Sequence, residues 1–237
     1  MSFFPLFFPL RTERLAKSFT LHLRGGLCLP VLEGICLEAA SGQCMVLTGP
    51  SGAGKSTLLR ALYGNYRADG GRILVHHRGQ TIDIASASPR TILEVRHHTI
   101  GYVSQFLRVV PRVPAVDIVA DALNGRGVTP EDAREQAAAL LLDLNIPRRL
   151  HGIPPATFSG GEQQRVNLAR GFIAGHAIML LDEPTASLDA GNRDIVVRMI
   201  RDAKARGTAV IAICHDLDAR DRIADRLFSV NAVHEAA

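Results

Sequence analysis

The run Gly49-Pro50-Ser51-Gly52-Ala53-Gly54-Lys55-Ser56-Thr57 leaves this chain few folds to choose from. Ahead of it, Gln43 to Thr48 (Gln-Cys-Met-Val-Leu-Thr) reads as a short buried strand, and Ser56 to Tyr63 continues as a helix. A glycine loop between a strand and a helix turns backbone N–H groups inward. It also points the positive end of the helix at the same spot, which makes a cradle for phosphates. Such a unit belongs in a mostly parallel sheet flanked by helices, with ligands at the carboxyl ends of the strands. The last third repeats the alternation: Ala177 to Leu181 as strand, about Gly191 to Ala205 as helix, Thr208 to Cys214 as strand. The expected fold class is α/β.

Within the loop, Lys55 would neutralise β- and γ-phosphate charge, and Ser56 would place its hydroxyl on Mg²⁺. Farther on, Ile178-Met179-Leu180-Leu181 runs into Asp182-Glu183, which sets two carboxylates at a strand's carboxyl end beside the loop. Asp182 would hold Mg²⁺ through water, and Glu183 would act as general base on the attacking water. Taken alone, the pair before Pro184 would be an N-cap; the phosphate loop reverses that preference. Ser159-Gly160-Gly161 opens a helix from about Gly160 to Ala174, and a serine hydroxyl with two exposed glycine amides makes a second anion site. The plainer alternative there is an N-cap with Gln163 completing part of a capping box.

Composition fits one large folded unit. The chain has 237 residues, 47% hydrophobic and 21% charged, with net charge +4. Lysines and arginines are scattered with no basic block, so nucleic acid is not an expected partner. Cys28, Cys36, Cys44 and Cys214 form no C-x-x-C pair, and are expected as free thiols packed like small hydrophobes. No window reaches the roughly 20 apolar residues of a membrane helix, so no direct membrane insertion and a cytoplasmic location are expected. The adjacent pairs His76-His77 and His97-His98 have no zinc-like spacing.

The segments divide as a core with an antiparallel β part over about 11–104, a helical subdomain over about 106–157 and the rest of the core over about 158–237. Arg72 to Val75 and Thr81 to Ile84 suggest a hairpin around Arg78-Gly79-Gln80. Thr129 or Pro130 opens a helix with Glu131 and Asp132 in its first turn. Residues 1–10, rich in Phe and Pro, are open between a tail, a piece of the first strand and a docking peptide.

The motifs from about Phe19 to His215 resemble the ATP-binding cassette (ABC) ATPases in order and content. Gly49 to Thr57 resembles their Walker A, Ile178 to Glu183 their Walker B, and Phe158-Ser159-Gly160-Gly161-Glu162-Gln163-Gln164-Arg165 their signature motif. The resemblance implies further roles: Gln105 as the Q-loop ligand of Mg²⁺ and water, Asp189 in the D-loop with Ser187-Leu188, His215 as the switch histidine, and Phe19 stacked on adenine. Phe158 and Glu162 stand where Leu and Gln are commonest, and neither change removes the serine or glycines. ATP and Mg²⁺ are the implied cofactors. Two ABC subunits, the second either a copy or a paralogue, would close head to tail, each ATP lying between one Lys55 loop and the other's Ser159-Gly160-Gly161.

A narrower resemblance lies in Val103-Ser104-Gln105-Phe106-Leu107-Arg108-Val109-Val110-Pro111-Arg112, Leu58 to Tyr66, Thr157 to Asn167 and Ala169 to Ile173. These look like the L-subunit family of the bacterial phosphonate carbon–phosphorus lyase system. That resemblance implies soluble lyase core subunits as partners and support for forming ribose 1-phosphonate 5-triphosphate, as in a ribose 1-methylphosphonate 5-triphosphate synthase. The rival is the ATP-binding subunit of a membrane transporter of the lipoprotein-release or macrolide-export type, which shares Ser-Gly-Gly-Glu-Gln-Gln-Arg. A chromosome-maintenance ATPase would need a long coiled-coil insertion, and about fifty residues in the helical region leave no room for one.

Overall fold

The computed structural model describes residues 7–21, 26–107 and 111–232. Strands β1 (Leu10–Leu21) and β2 (Leu27–Ala39) form a long antiparallel pair. Strand β3 (Cys44–Thr48) enters the glycine loop, and helix α1 (Lys55–Leu62) leaves it. Strands β4 (Gly70–His77) and β5 (Gln80–Asp83) form the expected hairpin. Its turn is Arg78-Gly79, both with positive φ (49° and 81°), the primed geometry that matches strand twist. These antiparallel strands lie in the order β2-β1-β4-β5.

The second sheet is built from later strands around β3. Helix α2 (Pro89–His98) starts at Ser88, whose hydroxyl accepts from Thr91 N–H, and leads into β6 (Ile100–Val103). Next come the helical segments α3 (Ala115–Ala120), α4 (Pro130–Asp143) and α5 (Arg148–His151), then α6 (Gly160–Phe172). Thr129 caps α4 by accepting from Asp132 N–H, with Pro130 at the first helical position. Strand β7 (Ile178–Asp182), helix α7 (Ala190–Ala205), strand β8 (Ala209–Ile213), helix α8 (Leu217–Ile223) and strand β9 (Arg226–Ser229) complete the core. The sheet order is β6-β7-β8-β3-β9, and every pairing in it is parallel.

Alternation along the buried strands separates two cores. Cys44, Val46, Met179, Leu181, Val210 and Ala212 face one cluster with α3, α4, α6 and α7. Met45, Leu47, Ile178, Leu180, Ile211 and Ile213 face the other, with α1 and the antiparallel sheet. Cys44 and Cys214 are buried as small hydrophobes, and burial pushes the Cys44 thiol up to about 12. Cys28 and Cys36 are exposed on β2, which corrects the packing expected of all four. Of the first ten residues, Phe7 C=O accepts from Ser41 N–H and Pro9 C=O from His76 N–H, so this stretch runs along the sheet from residue 7. Residues 1–6 lie outside the described residues.

Helix α6 approaches β6 closely because two glycines meet there. A Cβ on Gly171 would stand 2.4 Å from Val103 Cγ2, and one on Gly101 would stand 3.2 Å from Gly171 C=O. The contact brings the helix that starts at Ser159 against the strand that leads to Gln105. Gly171→Ala gains about 1 kcal/mol of helix propensity. Overpacking against the stiff, β-branched Val103 costs about 1–3 kcal/mol. The expected result is a lower urea midpoint, restored in part by a second substitution, Val103→Ala; an unchanged midpoint in the single variant would mean the helix shifts away without cost.

Candidate nucleotide site

The glycine loop is shaped by backbone conformations that need glycine. Gly49 has φ +134° and Gly54 φ +93°, and a Cβ on Gly49 would meet Val230 C=O at 2.3 Å. Ala53 fills the space behind the loop and is buried. Lys55 is 8% exposed, and its Nζ donates to Gly49 C=O and Pro50 C=O, both at 2.8 Å. Its ammonium is therefore held over the loop. Pro50, Ser51 and Gly52 are exposed at the loop's outer edge, with Thr57 half-buried on α1.

Asp182 ends β7, is 2% exposed, and is held at both oxygens. Ser56 Oγ donates to Oδ1 at 3.2 Å, and Tyr102 OH donates to Oδ2 at 3.3 Å. The next residue, Glu183, leaves the strand with φ +55°, a sparsely populated backbone state for a non-glycine residue. Its Oε2 accepts from Gln105 Nε2 at 3.1 Å, and its Oε1 stands 3.3 Å from His215 Nε2. Gln105, Glu183 and His215, separate in sequence, thus meet around one carboxylate. His215 remains largely exposed and its ring is open to a ligand.

Ser159 caps α6 with a complete capping box. Its Oγ accepts from Glu162 N–H, while Glu162 Oε2 accepts from Ser159 N–H and Oγ–H, both at 2.8 Å. The partner residue is Glu162, not the expected Gln163, whose side chain donates to Phe158 C=O instead. These contacts account for both departures from the common signature: Phe158 is buried in the core and Glu162 closes the box. Ser159 and Gly160 are exposed, with no hydrogen bond to residues 49–57 among the described residues. A Cβ on Gly161 would lie 2.9 Å from Ser187 C=O, so the signature helix starts hard against the Ser187-Leu188-Asp189 loop. Asp189 caps α7, and bonds from Asn192 hold its carboxyl below the usual carboxylate range.

Phe19 lies on β1 outside both core clusters, edge-on to Tyr66 with centroids 5.2 Å apart. Simple core packing therefore does not explain it. Of the histidine pairs, His97 and His98 meet, with His97 Nδ1 3.1 Å from His98 Nε2, whereas His76 lies edge-on to Phe7 and His77 Nδ1 lies 2.6 Å from Thr99 Oγ1. No group of three or more His, Cys, Asp or Glu among the described residues is arranged to hold a metal.

Two buried polar residues on α6 escaped the reading of the sequence. Gln164 Nε2 donates to Glu183 C=O at 3.4 Å, and Asn167 Nδ2 donates to Ser104 C=O at 2.7 Å. They tie the signature helix to the backbones of Glu183 and the Gln105 loop. Their signal was available: amides spaced i, i+3 share one face of a helix that also buries Val166, Leu168 and Ala169. Beside Gln105 lies a groove of about 810 Å³, with Arg60, Arg96 and Arg170 on its wall and Phe106 exposed at its mouth. Residues 108–110 of the segment Val103 to Arg112 lie outside the described residues.

Residues 32–186 match the family described as "ABC transporter". The chain belongs to the ABC ATPases. It is 37% identical over 202 residues to a lipoprotein-releasing system ATP-binding protein of Maricaulis maris, covering 85% of this chain and 86% of that one. It is 34% identical over 221 residues to a macrolide export ATP-binding/permease protein of Brucella melitensis, covering 93% of this chain. The chain spans about a third of the length of those macrolide-export relatives. A solved ATP-binding cassette, described as dimeric in a post-hydrolysis state with ADP and Pi, superposes with TM-score 0.84 at 24% identity over 94% of both chains. The ABC fold is therefore the fold of this chain, and as a member of the family it uses ATP with Mg²⁺. The residues present suit them: an ammonium and a helix N-terminus for phosphate, and an all-oxygen pair, Ser56 and Asp182, for a hard cation.

The capping box makes a testable electrostatic statement. Hydrogen bonds from Ser159 N–H and Oγ–H hold the Glu162 carboxyl below its ordinary value of 4.5. The cassette therefore gains stability from the ionised form above pH 4.5, and loses it as pH falls through the lower folded-state value. Glu162→Gln should cost about 0.5–1 kcal/mol at pH 7, the low end for a solvent-screened cap. In denaturant titrations the gap between the two proteins should close as pH drops below 4.5; a gap constant down to pH 3 would remove the charge from the explanation.

Proposed function

We propose that this ABC ATPase hydrolyses ATP at two composite sites formed when two cassettes close head to tail. The observation that carries the reading is the Glu183 carboxylate, gathered by Gln105 and His215 one residue beyond Asp182. Lys55 and the loop amides would bind the phosphates, and Ser56, Asp182 and Gln105 would hold the cation, whose charge offsets that of the triphosphate. Glu183 would take the proton of the attacking water, and His215 would contact the γ-phosphate. Asp189 and Ser159-Gly160-Gly161, exposed at its first two residues, would meet the partner cassette's nucleotide, and Phe19 would stack on adenine. An anion site that is solvent-exposed and unconnected to the Lys55 loop within one chain supports a site completed by a second subunit, a copy or a paralogue.

What the cassette drives depends on the occupant of the groove beside Gln105. The relatives favour transport: the proteins of M. maris and B. melitensis are named for lipoprotein release and macrolide export. In that reading a permease helix sits in the groove. The runs Val103 to Arg112, Thr157 to Asn167 and Ala169 to Ile173 favour the soluble core of a phosphonate carbon–phosphorus lyase instead. Overall identity of 34–37% counts the shared engine together with the partner surface, whereas Val103 to Arg112 includes the groove's own residues. Arg60, Arg96 and Arg170 make no ion pair among the described residues, which suits a carboxylate-bearing partner in either case.

Glu183→Gln should bind MgATP, lower turnover at least a hundredfold and accumulate as a dimer on size-exclusion chromatography. Normal turnover in that variant would refute the base assignment. Lys55→Ala should lose ATP binding, and unchanged affinity would remove the phosphate-loop role. Tagged Glu183→Gln, pulled from its host with MgATP, distinguishes the partners by mass spectrometry. An integral membrane permease in the eluate means transport, and soluble lyase core subunits mean phosphonate breakdown.

A further inference from the structure

We propose that Tyr102 is a positioning residue that fixes the Asp182 carboxylate from the floor of the partner groove, giving the groove a route to the cation ligand separate from Gln105. The proposal rests on the reading that Asp182 holds Mg²⁺. Two donors divide the Asp182 oxygens: Ser56 takes Oδ1 at 3.2 Å and Tyr102 takes Oδ2 at 3.3 Å. With Oδ2 tethered from one side, the carboxylate cannot rotate freely about its Cβ–Cγ bond, so Oδ1 stays directed toward Ser56.

The same side chain faces the groove. Its ring stacks on Tyr63 with centroids 5.0 Å apart and 25° between planes. The Arg96 guanidinium lies 4.6 Å from the Tyr63 ring centre, and Arg96 Nε donates to Tyr63 C=O at 2.8 Å. Arg96, Tyr63 and Tyr102 all line the groove. A partner side chain that engages Arg96 or presses on Tyr63 therefore shifts a stacked ring whose hydroxyl holds Asp182. Three residues farther along the chain, Gln105 bonds Glu183. One short segment thus sends two parallel links from the partner surface to two adjacent carboxylates, one for the cation and one for the water.

Tyr102→Phe keeps the stack and deletes only the hydroxyl. Mg²⁺ is titrated into the purified chain with trinitrophenyl-ATP, and nucleotide fluorescence is followed. The Mg²⁺ concentration at half-saturation should rise about three- to tenfold in Tyr102→Phe, the loss expected for one hydrogen bond to a charged group. Nucleotide binding in EDTA should stay unchanged. Tyr63→Leu should shift the Mg²⁺ midpoint in the wild-type background and have no further effect in Tyr102→Phe, because both act on one link. Asp182→Asn is the control for the underlying reading. A normal midpoint in Tyr102→Phe with a raised one in Asp182→Asn overturns the Tyr102 proposal alone. Normal midpoints in both overturn the Mg²⁺ assignment itself. Additive effects of the two tyrosine substitutions overturn the route from the groove.

Discussion

The chemistry of this cassette hangs on the end of one strand. β7 lies between β6 and β8, buried along its whole length, and delivers Asp182 and Glu183 at its carboxyl end. In a continuing strand the two side chains would point to opposite faces. The left-handed conformation at Glu183 stops the strand there, and the two carboxylates acquire separate surroundings: Ser56 and Tyr102 around one, Gln105 and His215 around the other. Such a conformation costs about 1–3 kcal/mol and persists only where the neighbours fix it. Here Glu183 N–H donates to Ile213 C=O and Gln164 donates to Glu183 C=O, so β8 and α6 hold the strained residue from two sides.

Helix α6 therefore has two jobs that share one rigid body. Its first turn presents Ser159 and Gly160 to solvent, where a second subunit can use them. Its inner face carries Gln164 and Asn167 to the backbones of Glu183 and Ser104. The glycine contact between Gly171 and β6 lets the helix sit close enough for both bonds. A displacement of the helix would be felt at Glu183 and at the Gln105 loop together. The position of Gly161 against Ser187 extends the same tie to the Asp189 loop.

Much of this was legible in the sequence, because motifs encode what backbone geometry forces. Glycines at 49 and 54 are required by their φ angles, and an apolar run ending in Asp182-Glu183 reads as a buried strand meeting solvent. The limits were physical too. β1 and β2 were not read as strands because register shifts near Leu15 and Lys17 and their half-exposed faces break the alternation. β6 and β9 are four residues each, too short for periodicity to show. Glu162 displaced Gln163 from the capping box because it holds the third helical position, which faces the N-cap. Nothing in the sequence singles out Tyr102; only the folded chain puts its hydroxyl beside Asp182.

The engine and its load are written in different kinds of residue. Phosphate, cation and water impose strict geometry, so residues that serve them stand at fixed spacing. A partner surface imposes only shape and charge; in the proposed reading that surface would be the groove lined by Arg60, Arg96, Arg170, Tyr63 and Tyr102. Tyrosine offers large contact area with few rotamers to freeze and arginine a planar charged fork, and both side chains are enriched where interfaces carry their energy. Among the described residues these guanidiniums have no carboxylate partner, and Arg96 and Arg60 are held instead by Tyr63 C=O, Asn65 and the Tyr66 hydroxyl. In the proposed reading a partner would be selected by charge first, and the stacked tyrosines would convert its docking into a constraint on Asp182.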